Sequence, residues 1–187
     1  APPCQGRCYL DTPRATAPLN PRKKGFLPRL LEQWPLQVIA LAGAAWLILA
    51  SEEAVKKWNL KPLGRIVDSQ WAGLDPAQMG LGPVHAATPI LQRHGLGLND
   101  LDAWELNEAF AAQVLACTAA LGLGDNDFAR INVNGSGISL GHPVGATGGR
   151  MLATLAREMR RRRVRYGLET MCIGGGQGLA AVFELVE

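Results

Sequence analysis

The sequence predicts a layered α/β domain, and three observations carry this prediction. From residue 51 onward, apolar runs typical of strands alternate with amphipathic helical patterns. Glycine or proline separates most of these runs, and 48% of the 187 residues are hydrophobic while only 19% are charged. A chain of this length can bury a core without disulfide bonds. The composition excludes a disordered chain, and the 22 glycines follow no collagen repeat.

The first 42 residues differ in composition from the rest. Residues 1–29 contain six prolines and few apolar clusters, which predicts an irregular arm. Residues 33–51 carry no charged side chain and are just long enough for a membrane span, which needs about 20 apolar residues. The alternative is a buried strand and helix of a soluble fold. We therefore divide the chain into an atypical arm with an apolar segment, residues 1–42, and a domain, residues 43–187.

The domain reads as helices and strands in alternation. Ser51 followed by two glutamates is typical of a helix N-terminus, and Gly95 is typical of a helix end. Pro89 would bend or restart the helix that contains it. In chain order the predicted elements are a helix at 51–60, a strand at 62–70, a helix at 83–95, a strand at 101–106, a helix at 107–122, a strand at 129–134, a glycine-rich loop at 135–149, a helix at 150–163 and a strand–turn–strand unit at 166–187.

Three short stretches place polar or nucleophilic groups on loops at an edge of the predicted sheet. Ligands of layered α/β folds usually bind at such edges. The stretches are N-E-A-F at 107–110, G-H-P at 141–143 and C-I-G-G-G at 172–176. They contain the candidate functional residues.

His142 and Cys172 are the candidate catalytic side chains. Small or rigid neighbours would hold the imidazole in one pose, and its ordinary pKa of about 6.5 suits a base at neutral pH. The glycines after Cys172 leave backbone N–H groups free to face a ligand oxygen, as in an oxyanion hole, and such donors would lower the pKa of the thiol. Taken alone, a histidine is usually a surface or hydrogen-bonded residue, and a strand cysteine a small buried hydrophobe.

Asn107 has two interpretations of its own. It could cap the helix that follows, or its amide could hold a catalytic water. In either case Glu108 would favour the N-terminus of that helix electrostatically.

Several other functions are disfavoured. Dinucleotide binding by the glycine-rich loop is disfavoured for two reasons. A central strand should precede the phosphate-binding turn, and Pro143 cannot lie in such a strand. An acidic residue at a strand end should bind the ribose, but Glu169 is predicted in the middle of a strand. The arginines at 160–163 suit the C-terminal turn of a helix, and a net charge of +3 is too small to indicate nucleic acid. Four cysteines and three histidines show no zinc spacing, so we expect no metal and free thiols in a reducing compartment.

Taken together, these stretches resemble the C-terminal domain of the thiolases. N-E-A-F, then N-V-N-G-S-G-I-S-L-G-H-P-V-G-A-T-G, then C-I-G-G-G-Q-G follow one another in the family's order and spacing. The M-G-L-G-P-V run at 79–84 is similar to a family loop, and residues 47–61 are similar to a family helix. The resemblance covers about residues 43–187. It favours the soluble alternative for residues 33–51, because the second half of that segment resembles an element of a soluble fold.

The resemblance implies an acyl-CoA C-acyltransferase of fatty acid metabolism, which cleaves 3-oxoacyl-CoA by thiolysis or forms it by Claisen condensation. Thiolase subunits contain two similar halves packed as α-β-α-β-α layers, and this chain would be the C-terminal half-domain. CoA and acyl-CoA would be substrates, with no metal and no tightly held cofactor. We expect no nucleic acid and no membrane as partner, a cytoplasmic location, and a homodimer or homotetramer for the complete enzyme.

The resemblance also implies residue roles. His142 would activate a nucleophilic cysteine of the N-terminal half and stabilise a thioester oxyanion. Asn107 would position a water in the same oxyanion hole. Cys172 would shuttle the proton at the α-carbon of acetyl-CoA, and the backbone N–H of Gly174 would serve a second oxyanion hole.

Upstream of residue 43 the family pattern is absent. Neither Cys4 nor Cys8 resembles the family's nucleophile, and residues 27–44 do not match the family's T-A-x-N-[AS]-S-G-x-x-D-G-A segment, which carries part of the CoA contact. The abrupt boundary suggests a reading-frame change upstream. Two alternatives follow: a catalytically inactive structural or oligomerisation domain, and a membrane-anchored protein.

Overall fold

A computed structural model describes residues 8–11 and 43–186 of the chain, and one six-stranded sheet organises them. The sheet order is β2-β1-β3-β6-β5-β4. The strands are β1 (Cys8–Asp11), β2 (Ile48–Ser51), β3 (Gly64–Gly73), β4 (Ala103–Leu106), β5 (Tyr166–Ile173) and β6 (Gln177–Leu185). The helices are α1 (Glu52–Trp58), α2 (Gly82–His94), α3 (Ala111–Leu121), α4 (Gly137–Leu140) and α5 (Thr147–Arg162), with 3₁₀ turns at Pro76–Leu81, Leu98–Asp100 and Asp125–Ala129. The predicted α/β class is confirmed.

The helix ends follow the predicted capping chemistry. The Ser51 hydroxyl accepts a hydrogen bond from the Ala54 N–H at 3.2 Å, which starts α1. Gly95 takes a left-handed conformation, with φ of 62°, and its N–H donates to the carbonyl of Gln92, which ends α2. Helix α2 continues through Pro89.

The sheet separates two layers of helices. Helices α2 and α3 pack on one face through side chains such as Ile90 and Cys117, against Trp104 and Leu168 of the sheet. Helix α5 packs on the other face in a second cluster with Leu155. Because side chains alternate between faces along a strand, β4 and β5 contribute residues to both layers. The result is the layered α-β-α arrangement expected for one half-domain.

Strand pairing positions the loops that carry the candidate residues. Strand β4 runs parallel to β5, and the β5–β6 hairpin is antiparallel with a turn at residues 174–176. Gly175 and Gly176 both have positive φ in that turn. The carboxyl ends of β4 and β5 therefore meet at one edge of the sheet.

Residues 129–134 do not form the predicted strand. Within this segment Ile131 forms only an isolated bridge to Trp104, and Asn132 turns left-handed with φ of 50°. The side chain of Asn132 then replaces the missing backbone ladder, because its Oδ1 accepts from the Leu106 N–H at 2.8 Å and its Nδ2 donates to the Leu106 carbonyl at 2.7 Å. The Asn132 side chain thus supplies the hydrogen bonds to β4 that a strand backbone would otherwise make.

Other element bounds also differ from the prediction. Helix α3 begins at Ala111 rather than at residue 107, α5 begins at Thr147 rather than at residue 150, and the glycine-rich loop contains the single turn α4. In the arm predicted to be irregular, strand β1 pairs antiparallel with β2 and β3.

The apolar segment 33–51 lies only partly within the described residues. Residues 33–42 lie outside them, and residues 48–51 form strand β2. Within residues 8–11 and 43–186 no helix has the length and apolar character needed to cross a membrane. The division of the chain into residues 1–42 and 43–187 stays a prediction.

Candidate active site

The candidate residues lie where β4 and β5 end together. Leu106, the last residue of β4, is paired with Thr170 of β5. The N–H of Asn107 donates to the Thr170 carbonyl at 3.0 Å, which fixes the backbone of Asn107 beside β5. Cys172 lies two residues further along β5. The parallel pairing thus places Asn107 and Cys172 on neighbouring strands at the same edge.

Asn107 contacts His142 and does not cap a helix. The Asn107 Nδ2 atom lies 3.4 Å from the His142 Nε2 atom, and Asn107 is fully buried. Helix α3 begins at Ala111 with Phe110 in the N-cap position, so the helix-capping interpretation of Asn107 is wrong. The Asn107 Oδ1 atom is buried and has no hydrogen-bond partner among the described residues. A buried amide oxygen without a partner is costly, and a bound water or ligand would satisfy it.

The other ring nitrogen of His142 is held by a hydroxyl group. His142 Nδ1 lies 2.7 Å from Thr147 Oγ1, and that oxygen lies 3.0 Å from the Pro143 carbonyl, to which it can donate. His142 is half-buried, whereas Thr147 is fully buried. One nitrogen of the imidazole is therefore engaged inside the protein, and the other faces the amide of Asn107.

Cys172 is a half-buried free thiol at the end of β5. Burial raises the pKa of this thiol above its ordinary value, so the lowered pKa expected from the sequence is wrong. The thiol therefore keeps its proton at neutral pH. Gly174 begins the turn that follows, and within the described part of the chain no group accepts a hydrogen bond from its backbone N–H. That N–H is available to a ligand oxygen.

Glu108 connects the two loops of the site. Its carboxylate accepts from Asn132 Nδ2 at 2.9 Å and from the Ile138 N–H at 3.2 Å. The first turn of α3 contains no acidic residue, so the predicted electrostatic role of Glu108 at that helix is wrong. Its carboxylate instead faces the first turn of α4, which leads into the loop with His142.

Sequence reasoning missed three residues that shape the site. Asn132 bridges to β4, Ser136 is buried with its hydroxyl 3.3 Å from the Leu106 carbonyl, and Thr147 holds His142. Each is a small polar residue, Ser136 and Thr147 inside the glycine-rich loop and Asn132 three residues before it. Their polarity among apolar and glycine neighbours was the available signal, but their partners are set by the tertiary fold.

A buried cluster of ionisable groups lies on the α5 face of the same strands. Glu105 and Glu169 are register partners on β4 and β5 and are both buried. Burial, as the largest cause, raises the pKa of each carboxyl to about 8, while the charge of Arg150 acts in the opposite direction. The three guanidinium nitrogens of Arg150 are buried without a hydrogen-bond partner among the described residues. The Arg150 guanidinium therefore acts on the two carboxyls through its charge.

Comparisons with known proteins agree with the fold and with the residue pattern. Residues 60–185 match the family model described as "Thiolase, C-terminal domain". Beta-ketothiolase BktB of Cupriavidus necator is 53% identical over 145 residues, which is 78% of this chain and 36% of that protein. The human mitochondrial 3-ketoacyl-CoA thiolase is 49% identical over 142 residues, which is 76% of this chain and 35% of that protein.

Solved structures show the same similarity. A crystal structure of the human mitochondrial 3-ketoacyl-CoA thiolase in complex with CoA superposes with a TM-score of 0.72 at 48% identity, over 75% of this chain and 35% of that chain. The Bacillus anthracis acetyl-CoA acetyltransferase gives a TM-score of 0.71 at 46% identity. The layered fold is that of the C-terminal half of a thiolase.

The chain belongs to the thiolase family, and the matched region is the family's C-terminal domain. It spans little more than a third of the length of the curated relatives that it matches.

Proposed function

We propose that this chain is the C-terminal catalytic half of an acyl-CoA C-acyltransferase that performs thiolytic cleavage or Claisen condensation of 3-oxoacyl-CoA. The observation that carries the proposal is the contact of Asn107 with His142 at the sheet edge where Cys172 lies near the end of β5. A base, an amide and a protonated thiol at one edge of the sheet are groups that acyl transfer through a covalent thioester needs. The relatives' names, beta-ketothiolase and 3-ketoacyl-CoA thiolase, support the same reaction.

The first step uses His142 and a nucleophilic cysteine supplied by the N-terminal half. His142 Nε2 takes the thiol proton, and the thiolate attacks the C3 carbonyl of 3-oxoacyl-CoA. The developing oxyanion on C3 is stabilised by the second oxyanion hole, to which the backbone N–H of Gly174 contributes. Collapse of this adduct breaks the C2–C3 bond and leaves an acyl-enzyme.

The second step uses Cys172. The bond cleavage leaves an enolate of acetyl-CoA, and the Cys172 thiol gives its proton to the α-carbon. The enolate oxygen, which is the oxyanion of the acetyl-CoA thioester, is stabilised by His142 and by a water held at the unpartnered Oδ1 side of Asn107. The Cys172 thiolate then takes the proton of a CoA thiol, and the CoA sulfur attacks the acyl-enzyme. The nucleophilic cysteine leaves as a thiolate and recovers its proton from the imidazolium of His142, and the shortened acyl-CoA is released. Condensation follows the same steps in reverse.

The complete protein would use CoA and acyl-CoA as substrates and would act as a homodimer or homotetramer in the cytoplasm. The human relative solved in complex with CoA supports the choice of substrate. No step assigned to these residues needs a metal or a tightly held cofactor.

An assay with acetoacetyl-CoA and CoA tests the proposal. The complete protein carrying this half should turn over, and His142→Ala should abolish both acylation and condensation. The 187-residue chain alone should show no thiolysis, since neither Cys4 nor Cys8 resembles the family's nucleophile. Turnover by this chain that is lost on replacing Cys4 or Cys8 would show that the nucleophile is misplaced. An inactive complete protein would favour a structural or oligomerisation domain.

A further inference from the structure

The Thr147 hydroxyl is the hydrogen-bond partner of His142 Nδ1, the ring nitrogen that does not face Asn107. Its oxygen lies 2.7 Å from Nδ1, and within residues 43–186 no other side chain makes a hydrogen bond to that nitrogen. We propose that Thr147 is a positioning residue that keeps the proton of neutral His142 on Nδ1, so that the lone pair of Nε2 is free to act as the base. This inference deepens the proposed function and rests on the role of His142 in it.

The position of Thr147 in the chain fixes its hydroxyl. Thr147 is the first residue of α5 and is 0% exposed, so its side chain has no solvent to turn towards. Its Oγ1 lies 3.0 Å from the carbonyl of Pro143, one helical turn earlier. The backbone N–H of Thr147 also donates to that carbonyl, at 2.9 Å, which anchors the turn that carries His142.

A count of protons leaves two arrangements. A threonine hydroxyl has one proton, a backbone carbonyl can only accept, and a neutral imidazole carries one N–H. In the first arrangement Nδ1–H donates to Oγ1, and the hydroxyl donates to the Pro143 carbonyl. In the second arrangement the hydroxyl donates to Nδ1, and the imidazole proton must lie on Nε2.

The first arrangement fits the partner of Nε2. Asn107 presents its amide nitrogen, which can only donate, at 3.4 Å from Nε2. A proton on Nε2 would set two donors against each other in a buried site, whereas a lone pair there accepts from the amide. The hydrogen bond at one ring nitrogen thus decides the state of the other.

The first arrangement also suits the charged form of His142. When Nε2 takes a proton from a thiol, the imidazolium keeps its Nδ1–H, and that group donates to the same oxygen of Thr147. No hydroxyl has to rotate during the transfer, because Oγ1 already donates to the Pro143 carbonyl. A preorganised acceptor that needs no reorganisation is the arrangement that favours proton transfer.

Nuclear magnetic resonance of the ring nitrogens tests the tautomer directly. The 187-residue chain is labelled with ¹⁵N-histidine, and long-range ¹H–¹⁵N correlations are recorded about two pH units above the ordinary histidine pKa of about 6.5. The three histidines are assigned with His85→Gln and His94→Gln variants. We expect His142 to show the Nδ1–H pattern, in contrast to free imidazole side chains, which favour Nε2–H. An Nε2–H pattern in the wild-type chain overturns the proposal.

Two substitutions test whether Thr147 is the cause. Thr147→Val keeps the shape without the hydroxyl and should shift His142 towards the Nε2–H tautomer, while Thr147→Ser should keep the wild-type pattern. An unchanged pattern in Thr147→Val overturns the assignment to Thr147. If the valine variant does not fold, the wild-type and serine spectra still decide which tautomer is present.

Kinetics of the complete enzyme carrying this half separate this inference from the proposed function. Thr147→Val should lower kcat on the order of 10- to 100-fold with little change in KM, and Thr147→Ser should restore it. A kcat unaffected by Thr147→Val overturns the positioning role. A complete enzyme that is inactive although His142 shows the Nδ1–H tautomer would instead overturn the proposed function.

Discussion

The thiol of Cys172 keeps its proton at neutral pH because burial raises its pKa. An acid that gives a proton to carbon and recovers it from a CoA thiol must be protonated before the step and only moderately basic after it. His142 has a different task, because its Nε2 must begin as a base. The two residues therefore divide the proton transfers: His142 serves acylation, and Cys172 serves the α-carbon.

Cys172→Ser should separate these tasks in the complete enzyme carrying this half. A hydroxyl is a far weaker acid than a thiol, so proton transfer at the α-carbon should slow on the order of 10²–10⁴-fold while the acyl-enzyme still forms. The measurement is exchange of the α-protons of acetyl-CoA into deuterated water, set beside trapping of the acyl-enzyme by mass spectrometry.

The matched control is Cys117→Ser, which alters a neighbouring buried thiol of α3 that donates to the Gly80 carbonyl and interacts electrostatically with Cys172. We expect it to leave α-proton exchange at the wild-type rate. If Cys172→Ser exchanged the α-protons of acetyl-CoA at the wild-type rate, Cys172 would have only a packing role in β5.

At the scale of elements, helix α2 approaches β6 more closely than side chains allow. A Cβ atom on Gly178 would lie 2.1 Å from the Gly82 carbonyl oxygen, and a Cβ atom on Gly82 would lie 2.4 Å from the Gln177 carbonyl oxygen. These neighbours are backbone atoms, which cannot rotate away. The pair of glycines thus sets how the N-terminus of α2 lies against the hairpin that carries Cys172.

Gly178→Ala should lower the free energy of unfolding by about 1–3 kcal/mol, because the added methyl group must push α2 away from β6. Urea denaturation followed by circular dichroism measures the change. Gly124→Ala is the matched control, since a Cβ atom there meets no atom within 4 Å and its φ is −109°. Equal stability of the two variants would contradict the close packing of α2 on β6.

Local sequence patterns predicted most helices and strands. Ser51 and Gly95 are capping residues whose effect is confined to one turn, so the ends of α1 and α2 followed from the sequence. The structure of residues 129–134 did not follow from the sequence. Their apolar and polar residues alternate as in a strand, but it is the side chain of Asn132 that forms the hydrogen bonds with the backbone of Leu106. Such a contact joins residues 26 positions apart, and no local pattern contains it.

The same distinction holds for the site. His142 and Cys172 stood out because glycine or proline lies beside a reactive group, and Asn107 stood out because it follows a predicted strand directly; both signals are visible along the chain. The role of Thr147 depends on the turn that brings it back onto Nδ1, and the raised pKa of Cys172 depends on what buries it. Both are properties of packing.

At the scale of the whole molecule, carboxyl groups act on stability in two opposite directions. Hydrogen bonds from Arg161 lower the pKa of Glu158 to about 2, and ion pairs with Arg65 and Arg165 help to hold the pKa of Glu184 below its ordinary value. These groups stabilise the fold when they are ionised, and that contribution is lost on acidification below their ordinary pKa of about 4.5. Glu105 and Glu169 act the other way, because their pKa values are raised.

The sign for Glu105 and Glu169 follows from proton binding. Between about pH 4.5 and about pH 8, the folded state keeps protons on these carboxyls that the unfolded chain has released. Stability therefore falls as the pH rises through this range. The contribution of these four carboxyls to stability is therefore largest at about pH 5.

Glu169→Gln should remove much of the loss on the alkaline side. At about pH 9 the wild-type fold must hold two charged carboxylates beside Arg150 in the layer between the sheet and α5. The neutral amide of Glu169→Gln removes one of these two buried charges, the one paired with Glu105. We expect a gain of about 1–3 kcal/mol in the free energy of unfolding at about pH 9, and almost none at about pH 5, where Glu169 is itself neutral. Asp102→Asn, which changes an exposed carboxylate, is the control and should leave the pH profile unchanged. Urea denaturation at both pH values measures the difference. A gain of equal size at both would show that the substitution acts through packing, and no gain at pH 9 would show that Arg150 fully compensates both charges.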